Sequence, residues 1–452
     1  MGQAIDGDSR ILYVPVETRA REWDAKLLFS LEAAAANFQV VVGPKWLLNA
    51  NIDLLPRGLF GCKTLNRIDV SAMAAAAAAG HAIYAWDEEG PGQILPEVYL
   101  KNIDPAAVDY AGRIFAWGEH QAKMLSRRFP EAASKIEVGG NPRWDLLRPE
   151  HRSFFAAEAD ALRAAHGRII LVNTNFGTFN SWWTEGLEAI TNVAAETGAF
   201  ERSNEADQRM LADIHDSEKG VFLSYAPMLA ALSAAFPNHT IVLRPHPTEK
   251  VEVWEKITAS LPNVKTLREG VVIPWIMAAE AVVQNSCTTG VEALTLGVPA
   301  VSYCKYETPL VEWHLASHVT PRAGDEIALV SYLKQFLSDP ASFRVVNAQG
   351  QQTLGRHIAK LGGETAAAAI LKSLTFLARR DEKRKAVFDR VFSLSKGLRP
   401  YLRTKYLAMK FPPVSGSELA QTVSRLTRSH PRLDRVSITQ IAESAFYLKR
   451  TS

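Results

Sequence analysis

The chain of 452 residues carries 51 Lys and Arg against 48 Asp and Glu, a net charge of +3, with 47% hydrophobic and 22% charged residues. These values exclude disordered and fibrous proteins, and the length predicts two packed domains with an appendage. The three cysteines stand in no metal-ligand spacing, which argues against a disulfide framework or a structural metal. The sequence has no export signal and no run near the roughly 20 apolar residues that span a bilayer, so we expect a cytoplasmic protein.

Strand-like apolar runs alternate with helical stretches across residues 1–150, a pattern that predicts a parallel sheet covered by helices. The predicted strands are 11–16, 39–44, 81–88, 113–119 and 135–140, and the predicted helices are 22–36 and 72–79. We interpret 1–150 as an N-terminal Rossmann-like domain. The charged, alanine-rich residues 148–167 are predicted to form a helical connector.

A second series of strands and helices covers residues 168–378. Its predicted strands lie within 168–177, 239–247, 263–269, 279–286 and 299–305, and its helical regions are 181–236, 325–338 and 342–378. Neither series opens with the G-x-G-x-x-G fingerprint, which argues against a nicotinamide-dependent dehydrogenase. The predicted fold class is therefore α/β, with two doubly wound Rossmann-like domains and a cleft between them.

Residues 379–452 form a basic tail, with 17 Lys and Arg against 6 Asp and Glu. Aromatic and aliphatic residues alternate with the basic ones at spacings that predict amphipathic helices. Such helices can lie on an anionic membrane surface. The alternative is that the tail packs back over the domains, and the sequence leaves both interpretations open.

The stretch "IVLRPHPTEK", residues 241–250, ends an apolar strand with Arg244 and places His246 between two prolines. Prolines restrict the backbone on both sides, so the imidazole is held on a stiff support. Ligands of doubly wound sheets collect at the carboxyl ends of strands. We therefore predict that His246, with Arg244, pairs with a phosphate and stabilises it as a leaving group. The alternative is a capping turn whose histidine bonds a backbone carbonyl.

Two further strand ends carry donors suited to an anion. Ser286, Thr288 and Thr289 stand between a strand and the start of a helix, where backbone and hydroxyl donors gather. Glu292 follows in the same helix and is predicted to bind ribose hydroxyls, unless it only complements the helix dipole. Another loop, 173–183, offers small and polar residues to a ligand and tryptophans that can stack or join the core. Its candidate residues are Thr174, Asn175, Gly177, Trp182 and Trp183.

Polar clusters also follow strands in the first domain. Adjacent carboxylates in a cleft repel one another and can serve as a base or a nucleophile. The clusters comprise Glu17, Arg19 and Arg21, then Asp87, Glu88 and Glu89, then Arg143 and Asp145. Solvated loops or ion pairs are the alternative explanation for each cluster taken alone.

These motifs resemble known enzymes of surface polysaccharide synthesis. RPHP with NSCTTGVEALTLGVPAV looks like the nucleotide-binding half of GT-B glycosyltransferases that use CMP-activated sugars, notably Kdo (3-deoxy-manno-octulosonate) transferases, and of CDP-glycerol glycerophosphotransferases. The strings ETRAREWDAKLL, DEEG, FAWGEHQ, GNPRWDLL and NTNFG look like the bacterial surface carbohydrate biosynthesis protein family, over roughly residues 10–320.

That resemblance implies an N-terminal acceptor domain, a C-terminal donor domain and no obligatory metal. Carried onto this chain, it implies that the donor phosphate is held by His246 and the turn at Ser286, Thr288 and Thr289, with the ribose on Glu292. The implied partners are a nucleotide sugar as donor substrate and a glycan or lipid-linked glycan as acceptor, with no cofactor. The basic tail fits work at the inner face of the cytoplasmic membrane.

For the base or nucleophile, the candidates are Glu88, Glu89 and Asp145, in that order of preference. Glu17, Arg19, Arg21 and Arg143 are predicted to bind the acceptor or the sugar. Walker, G-x-S-x-G and HExxH motifs are missing from the sequence, as is any nucleic-acid reading module, so we expect no nucleic-acid partner. Two other functions stay open, an epimerase of UDP-N-acetylhexosamine and a non-catalytic scaffold of a polysaccharide assembly complex.

Overall fold

A computed structural model describes most of the chain. The described residues are 10–88, 90, 94–177, 179–182, 186–197, 200–307, 312–379, 398–399, 404–428 and 430–451. They fall into two compact units. The first is drawn from Met1–Glu88, Ile103–Phe154 and Ile358–Ser452, and the second from Glu89–Asn102 and Phe155–His357.

The strands are short and rich in Val, Ile and Leu, and most are buried on both faces, as parallel sheets between helix layers require. In chain order they are β1 Arg10–Val16, β2 Phe38–Pro44, β3 Leu59–Cys62, β4 Ala82–Trp86, β5 Arg113–Ala116, β6 Ile136–Val138, β7 Ile169–Asn173, β8 Thr240–Arg244, β9 Val264–Thr266, β10 Ala281–Gln284, β11 Ala300–Tyr303, β12 Arg322–Ala323, β13 Val436–Ala442 and β14 Ala445–Arg450.

Helices connect the strands and cover the sheets. In chain order they are α1 Arg19–Ala35, α2 Lys45–Ala50, α3 Arg67–Ala78, α4 Pro96–Tyr99, α5 Pro105–Tyr110, α6 Glu119–Arg128, α7 Pro142–Asp145, α8 Ser153–His166, α9 Gly186–Thr197, α10 Glu205–Ala235, α11 Val251–Thr258, α12 Val272–Ala278, α13 Thr288–Leu296, α14 Leu315–Val319, α15 Glu326–Ser338, α16 Pro340–Val346, α17 Ala348–His357, α18 Ala366–Arg379, α19 Lys405–Lys410 and α20 Gly416–Thr427.

The sheet of the first unit has the order β13-β14-β2-β1-β3-β4-β5-β6. The strands from β2 to β6 are parallel, whereas β14 runs antiparallel to β2. The chain leaves β1 toward β2 on one side and later returns to β3 on the other. The topological switch point therefore lies between β1 and β3, and ligands of such sheets bind at the carboxyl edge there.

The sheet of the second unit is parallel throughout, in the order β12-β11-β10-β7-β8-β9. Strands β7, β8 and β9 run outward on one side, and β10, β11 and β12 on the other. This is the Rossmann strand order, whose switch point falls between β7 and β10. The predicted α/β class is thus confirmed for both sheets and for helices in the C-terminal region.

Two parts of the chain differ from the predicted organisation. Helix α18, expected within the second domain, groups with the first unit. The tail supplies two strands as well as helices, and β14 extends the first sheet.

The described tail packs on the first unit. Trp23 of α1 contacts Phe411 and Phe446, with ring centroids 5.8 and 5.9 Å away. Of the two interpretations of the tail, packing is therefore the one that residues 404–428 and 430–451 display. The segment predicted to be interfacial is 386–413, and its residues 386–397 and 400–403 lie outside the described residues. Among the described helices, none is both long and apolar enough to cross a membrane.

Candidate functional site

Three loops of the second unit meet at the carboxyl edge beside its switch point. They are 174–177 after β7, 245–249 after β8 and 285–287 after β10. Hydrogen bonds join the first loop to both of the others. A doubly wound sheet binds its ligand at this position.

His246 is fixed by its own loop. The backbone N–H of Thr248 donates to Nδ1 at 3.3 Å, and the Thr248 hydroxyl lies 2.7 Å from the same nitrogen. Because a backbone N–H can only donate, Nδ1 is an acceptor and the neutral ring carries its proton on Nε2. The imidazole therefore presents an N–H donor, the group that a phosphate oxygen needs.

Gly177 lies against this histidine loop. A Cβ at position 177 would stand 2.8 Å from the Thr248 hydroxyl and 4.0 Å from Nδ1 of His246. A Cβ at the first distance would force the Thr248 side chain to shift, so glycine at position 177 lets the two loops approach closely. Trp182 joins the same loop, since its Nε1 donates to the Pro247 carbonyl at 3.1 Å. Trp183 lies outside the described residues.

Glu249 is a buried carboxylate that sequence analysis missed, 1% exposed. Its Oε1 accepts from the Thr174 hydroxyl at 2.7 Å, the Phe176 N–H at 3.0 Å and the His246 N–H at 3.1 Å. Burial raises the pKa of Glu249, and these hydrogen bonds oppose the rise. One carboxylate thus ties the loop after β7 to the loop after β8.

Asparagines connect the loop after β7 to the turn after β10. The Asn175 N–H donates to Oδ1 of Asn285 at 2.9 Å, and the Asn175 side chain donates to the Ser286 carbonyl at 3.0 Å. Ser286 has a φ of +47°, a left-handed conformation that is strained for a residue other than glycine. Such strain persists where the surroundings hold it, often at functional sites.

The turn after β10 leads into α13, whose N-cap position is Cys287. Thr288 is half-buried at the first helical position, and the hydroxyl of Thr289 is buried with no hydrogen-bond partner among the described residues. A helix start with an unsatisfied hydroxyl suits an anion. Glu292 is only 1% exposed one turn further on. Its predicted contact with a ribose therefore remains a prediction.

Arg244 does not join the other predicted donor-site residues. Its guanidinium donates to the carbonyls of Glu269 and Gly270 at 2.6 and 3.1 Å and stacks over Trp275. Burial lowers the pKa of Arg244 to about 10, and Glu269 opposes this shift. The residue is thus a structural cation of the neighbouring loop, a correction to its predicted phosphate role. Arg268 is a cation at the histidine loop, where it donates to the carbonyls of Pro247 and Glu249.

The switch point of the first unit holds a second polar cluster, composed of buried ion pairs. Glu17, after β1, lies 3.3 Å from both Lys45, after β2, and Lys63, after β3, and 2.6 Å from Lys410 of the tail. Burial would raise the pKa of Glu17, but the three lysines outweigh it and hold that pKa far below its ordinary value. Lys45 also pairs with Asp69 at 2.5 Å.

Glu88 adjoins this cluster and is buried. It accepts from Nε1 of Trp86 at 2.7 Å and lies 3.4 Å from Lys26, which in turn pairs with Glu22 at 2.8 Å. Asn141 donates to its second oxygen at 3.4 Å. Glu88 is thus a buried carboxyl group with fixed partners, whereas Glu89 lies outside the described residues.

Asp145, predicted as a base or nucleophile, is a structural anchor instead. Its two oxygens accept from the N–H groups of Ala366 and Ala367, both at 2.9 Å, at the start of α18. Burial raises the pKa of Asp145 to about 7, while the two backbone hydrogen bonds oppose the rise. Because both oxygens are occupied in the core, the catalytic assignment is corrected.

The predicted arginines of the first domain have different surroundings. Arg19 holds the tail, since it pairs with Glu418 and donates to the carbonyls of Pro412 and Pro413. Its predicted role in sugar binding is therefore replaced by a structural one. Arg21 lies close enough to Glu22 to help lower the pKa of that carboxyl. The Arg143 backbone N–H donates to Asn141, the partner of Glu88.

Sequence reasoning missed the residues that support the site. Glu249 stands three residues past His246, a spacing at which a carboxylate can accept from the histidine N–H, and that signal was available. The three lysines of the first cluster gave no such signal, because lysine is seldom buried unless paired. Among the described residues, no group of three His, Cys, Asp or Glu side chains could hold a metal ion.

No family model matches the chain, and a search of curated proteins finds no match. Solved structures with a similar trace include the UDP-GlcNAc 2-epimerase of Neisseria meningitidis bound to UDP-GlcNAc, at 13% identity and a TM-score of 0.48, covering 82% of this chain and 99% of that one. The UDP-GlcNAc 2-epimerase of Methanocaldococcus jannaschii in complex with UDP-GlcNAc and UDP is 14% identical, with a TM-score of 0.48, and the match covers 81% of this chain and 99% of that one. A variant of the wall teichoic acid polymerase TagF is 9% identical, with a TM-score of 0.45, and the match covers 83% of this chain and 90% of that one. At these scores and identities, the likeness assigns no activity to this chain.

Proposed function

We propose that the protein is a glycosyltransferase that moves a sugar, Kdo or a related ulosonic acid, from a CMP-activated donor to a growing surface polysaccharide or glycolipid. The observation that carries this proposal is the meeting of the His246 loop, the loop after β7 and the strained turn at Ser286 beside one switch point. The motifs in these loops resemble those of CMP-sugar transferases, which supplies the donor class.

In the proposed reaction an acceptor hydroxyl attacks the anomeric carbon of the donor. The bond from that carbon to the phosphate oxygen breaks, and its electron pair leaves with CMP. The Nε2–H of His246 and the start of α13 stabilise the charge that grows on the phosphate. The hydroxyl proton goes to a carboxylate, for which Glu88 and Glu89 stay the predicted candidates. No metal is assigned to the step.

Titration calorimetry with CMP, CDP and UDP tests the donor class. We expect CMP to bind more tightly than the other two nucleotides. Tighter binding of UDP, with conversion of UDP-N-acetylhexosamine in the absence of an acceptor, would replace the transferase by an epimerase. If none of the three nucleotides binds, the enzyme proposal fails and the scaffold interpretation takes its place.

The acceptor and the membrane are the second part of the proposal. We propose a glycan or lipid-linked glycan acceptor, and a peripheral site of action on the inner face of the cytoplasmic membrane. The basic composition of 379–452 supports this location. Sedimentation with vesicles of anionic and of zwitterionic lipids tests it: we expect salt-sensitive binding to the anionic vesicles, and equal binding to both would refute it.

A further inference from the structure

Most hydrogen bonds of Glu249 are made with the loops of the candidate site and not with the neighbouring helix α11. It lies two residues before α11, at the end of the loop that carries His246. Only one of its four hydrogen-bond donors, Nε1 of Trp254 at 2.8 Å, belongs to α11. The other three belong to the candidate donor site, and all three are accepted by Oε1.

The three donors on Oε1 fix the site from both sides. The Thr174 hydroxyl and the Phe176 N–H belong to the loop after β7, and the His246 N–H belongs to the loop after β8. The Thr174 oxygen also lies 3.3 Å from the His246 N–H and can accept from it. Glu249 and Thr174 therefore determine together where the backbone of His246 stands.

Joining two loops through a buried carboxylate has a cost in free energy, because the charge loses its hydration. Burial of a charge is unfavourable unless several hydrogen bonds compensate, and four donors do so here. In return, hydrogen bonds to an ionised acceptor are roughly twice as strong as neutral ones. An anion site needs its donors fixed before the ligand arrives, since reorganisation would weaken the stabilisation of charge.

We propose that Glu249 is a positioning residue for nucleotide phosphate, which acts by orienting His246 and the loop 174–177 and does not touch the ligand. This inference rests on the proposed function, because it takes the phosphate of the donor nucleotide as the group that His246 meets. Glu249→Gln keeps the shape of the side chain but replaces one acceptor oxygen by an NH₂ group that can only donate. Even where the amide oxygen keeps the three donors of the loops, those hydrogen bonds lose the ionised acceptor that made them roughly twice as strong as neutral ones.

The first measurement needs no ligand. Hydrogen exchange followed by mass spectrometry should show faster exchange in peptides that cover 174–177 and 245–249 in Glu249→Gln than in the wild type. The control is Glu255→Gln, the same change at an exposed position of α11, for which we expect wild-type exchange in both peptides. Unchanged exchange in Glu249→Gln would overturn the proposal, whatever the protein binds.

The second measurement compares CMP with cytidine, which lacks the phosphate. We expect Glu249→Gln to bind CMP about 10-fold more weakly, the scale of one hydrogen bond to a charged group, and to bind cytidine as the wild type does. An equal loss for both ligands would indicate general damage and overturn the proposal. If Glu249→Gln fails to fold, Thr174→Val removes one of the same contacts and should show the same selective loss.

A double-mutant cycle with His246→Ala separates positioning from a direct role. If Glu249 acts through His246, Glu249→Gln should weaken CMP binding much less in the His246→Ala background than in the wild type. Full additivity would contradict the proposal. Trp254→Phe, which removes only the contact within α11, should leave CMP binding unchanged.

The outcomes of the two proposals can be told apart. Faster loop exchange in Glu249→Gln, combined with a wild type that binds no nucleotide, would refute the proposed function but retain the orientation of the loops by Glu249. Unchanged loop exchange in Glu249→Gln, combined with a wild type that binds CMP, would refute the orientation of the loops by Glu249 but retain the proposed function.

Discussion

His246 is held at one ring nitrogen by Thr248, so the proton of the neutral ring sits on Nε2. Its backbone N–H is bonded to Glu249, a contact that does not depend on the side chain. Loss of the side chain should therefore affect binding and turnover far more than stability.

We predict that His246→Ala keeps its melting temperature but loses about 100-fold or more in turnover, the usual scale for one preorganised contact to a developing charge. Sugar transfer to an acceptor and thermal unfolding measure the two effects. His166→Ala is the matched control, because His166 precedes β7 at the opposite edge of the same sheet. Full activity in His246→Ala would refute the donor role.

Asp145 stabilises the folded protein at low pH and not at neutral pH, the opposite of an ion-paired carboxylate. Its pKa is about 7 in the folded protein because of burial, against an ordinary value of 3.8. The folded state therefore binds the proton more tightly than the unfolded state does. The stabilisation is fully present below pH 4 and is lost as pH rises toward 7.

We predict that the free energy of unfolding of the wild type, minus that of Asp145→Asn, falls as pH rises from 4 to 7, by at most about 1.4 kcal/mol per pH unit. Asparagine resembles the protonated acid and does not titrate, so the difference isolates the carboxyl. Urea unfolding across this range provides the measurement. Parallel curves for the two proteins between pH 4 and 7 would contradict the assignment.

At the scale of elements, the tail strand β14 is a core strand of the first sheet. Phe446 is buried between β2 and α1, and its ring packs on Trp23. We predict that Phe446→Ala lowers the free energy of unfolding by about 3–5 kcal/mol, the range for such cavities.

Chemical denaturation measures this loss, and Gln440→Ala on β13 is the control because its side chain is exposed. We expect that control to remain within about 0.5 kcal/mol of the wild type. A loss of less than about 1 kcal/mol in Phe446→Ala would show that the tail strand is dispensable for the sheet, since core truncations cost more than that.

Local patterns predicted the elements whose apolar runs are long and continuous. Strands β1, β2, β7 and β8 are examples, and each contains a run rich in Val, Ile or Leu. The four-residue β3 was missed because LFGC is too short to signal a strand against its flanking glycine and proline. The strands of the tail were missed because charge dominated the interpretation of that segment.

The candidate site was predictable only where the chemistry is local. The loop of His246 and the turn at Ser286 both bond to the loop 174–177, in agreement with the rule that ligands bind at strand ends beside a switch point. The hydrogen bonds of Arg244 could not be predicted from the local sequence, because its carbonyl partners lie 25 and 26 residues further along the chain. Asp145 and Ala366, 221 residues apart, illustrate the same limit.

At the scale of the whole molecule, the buried carboxyl groups differ in their response to acid. In the first unit, lysines lower the pKa of Glu17 and Glu22 in spite of burial. Their stabilisation is present above the ordinary pKa of 4.5 and is lost as pH falls through the lower folded values. Burial raises the pKa of Asp145 in the first unit and of Glu249 in the second, so protonation of these two groups in acid has the opposite effect.

We predict that β1 loses hydrogen-exchange protection as pH falls from about 4.5 to 2, where the carboxylates of Glu17 and Glu22, paired in the native state, take up protons. Hydrogen exchange of a peptide from β1 provides the measurement. Glu17→Gln should reduce this loss of protection. Equal loss of protection in Glu17→Gln and in the wild type would refute the prediction.

The tail strand also sets the order in which the molecule can be assembled during translation. The hydroxyl of Tyr447 on β14 donates to Gln39 on β2, a residue 408 positions earlier in the chain. Chains emerge from the ribosome at roughly 5–20 residues per second, so β2 waits tens of seconds for its antiparallel neighbour. During that interval the hydrogen-bonding edge of β2 is unpaired, and an unpaired strand edge is a site to which a nascent-chain chaperone can bind.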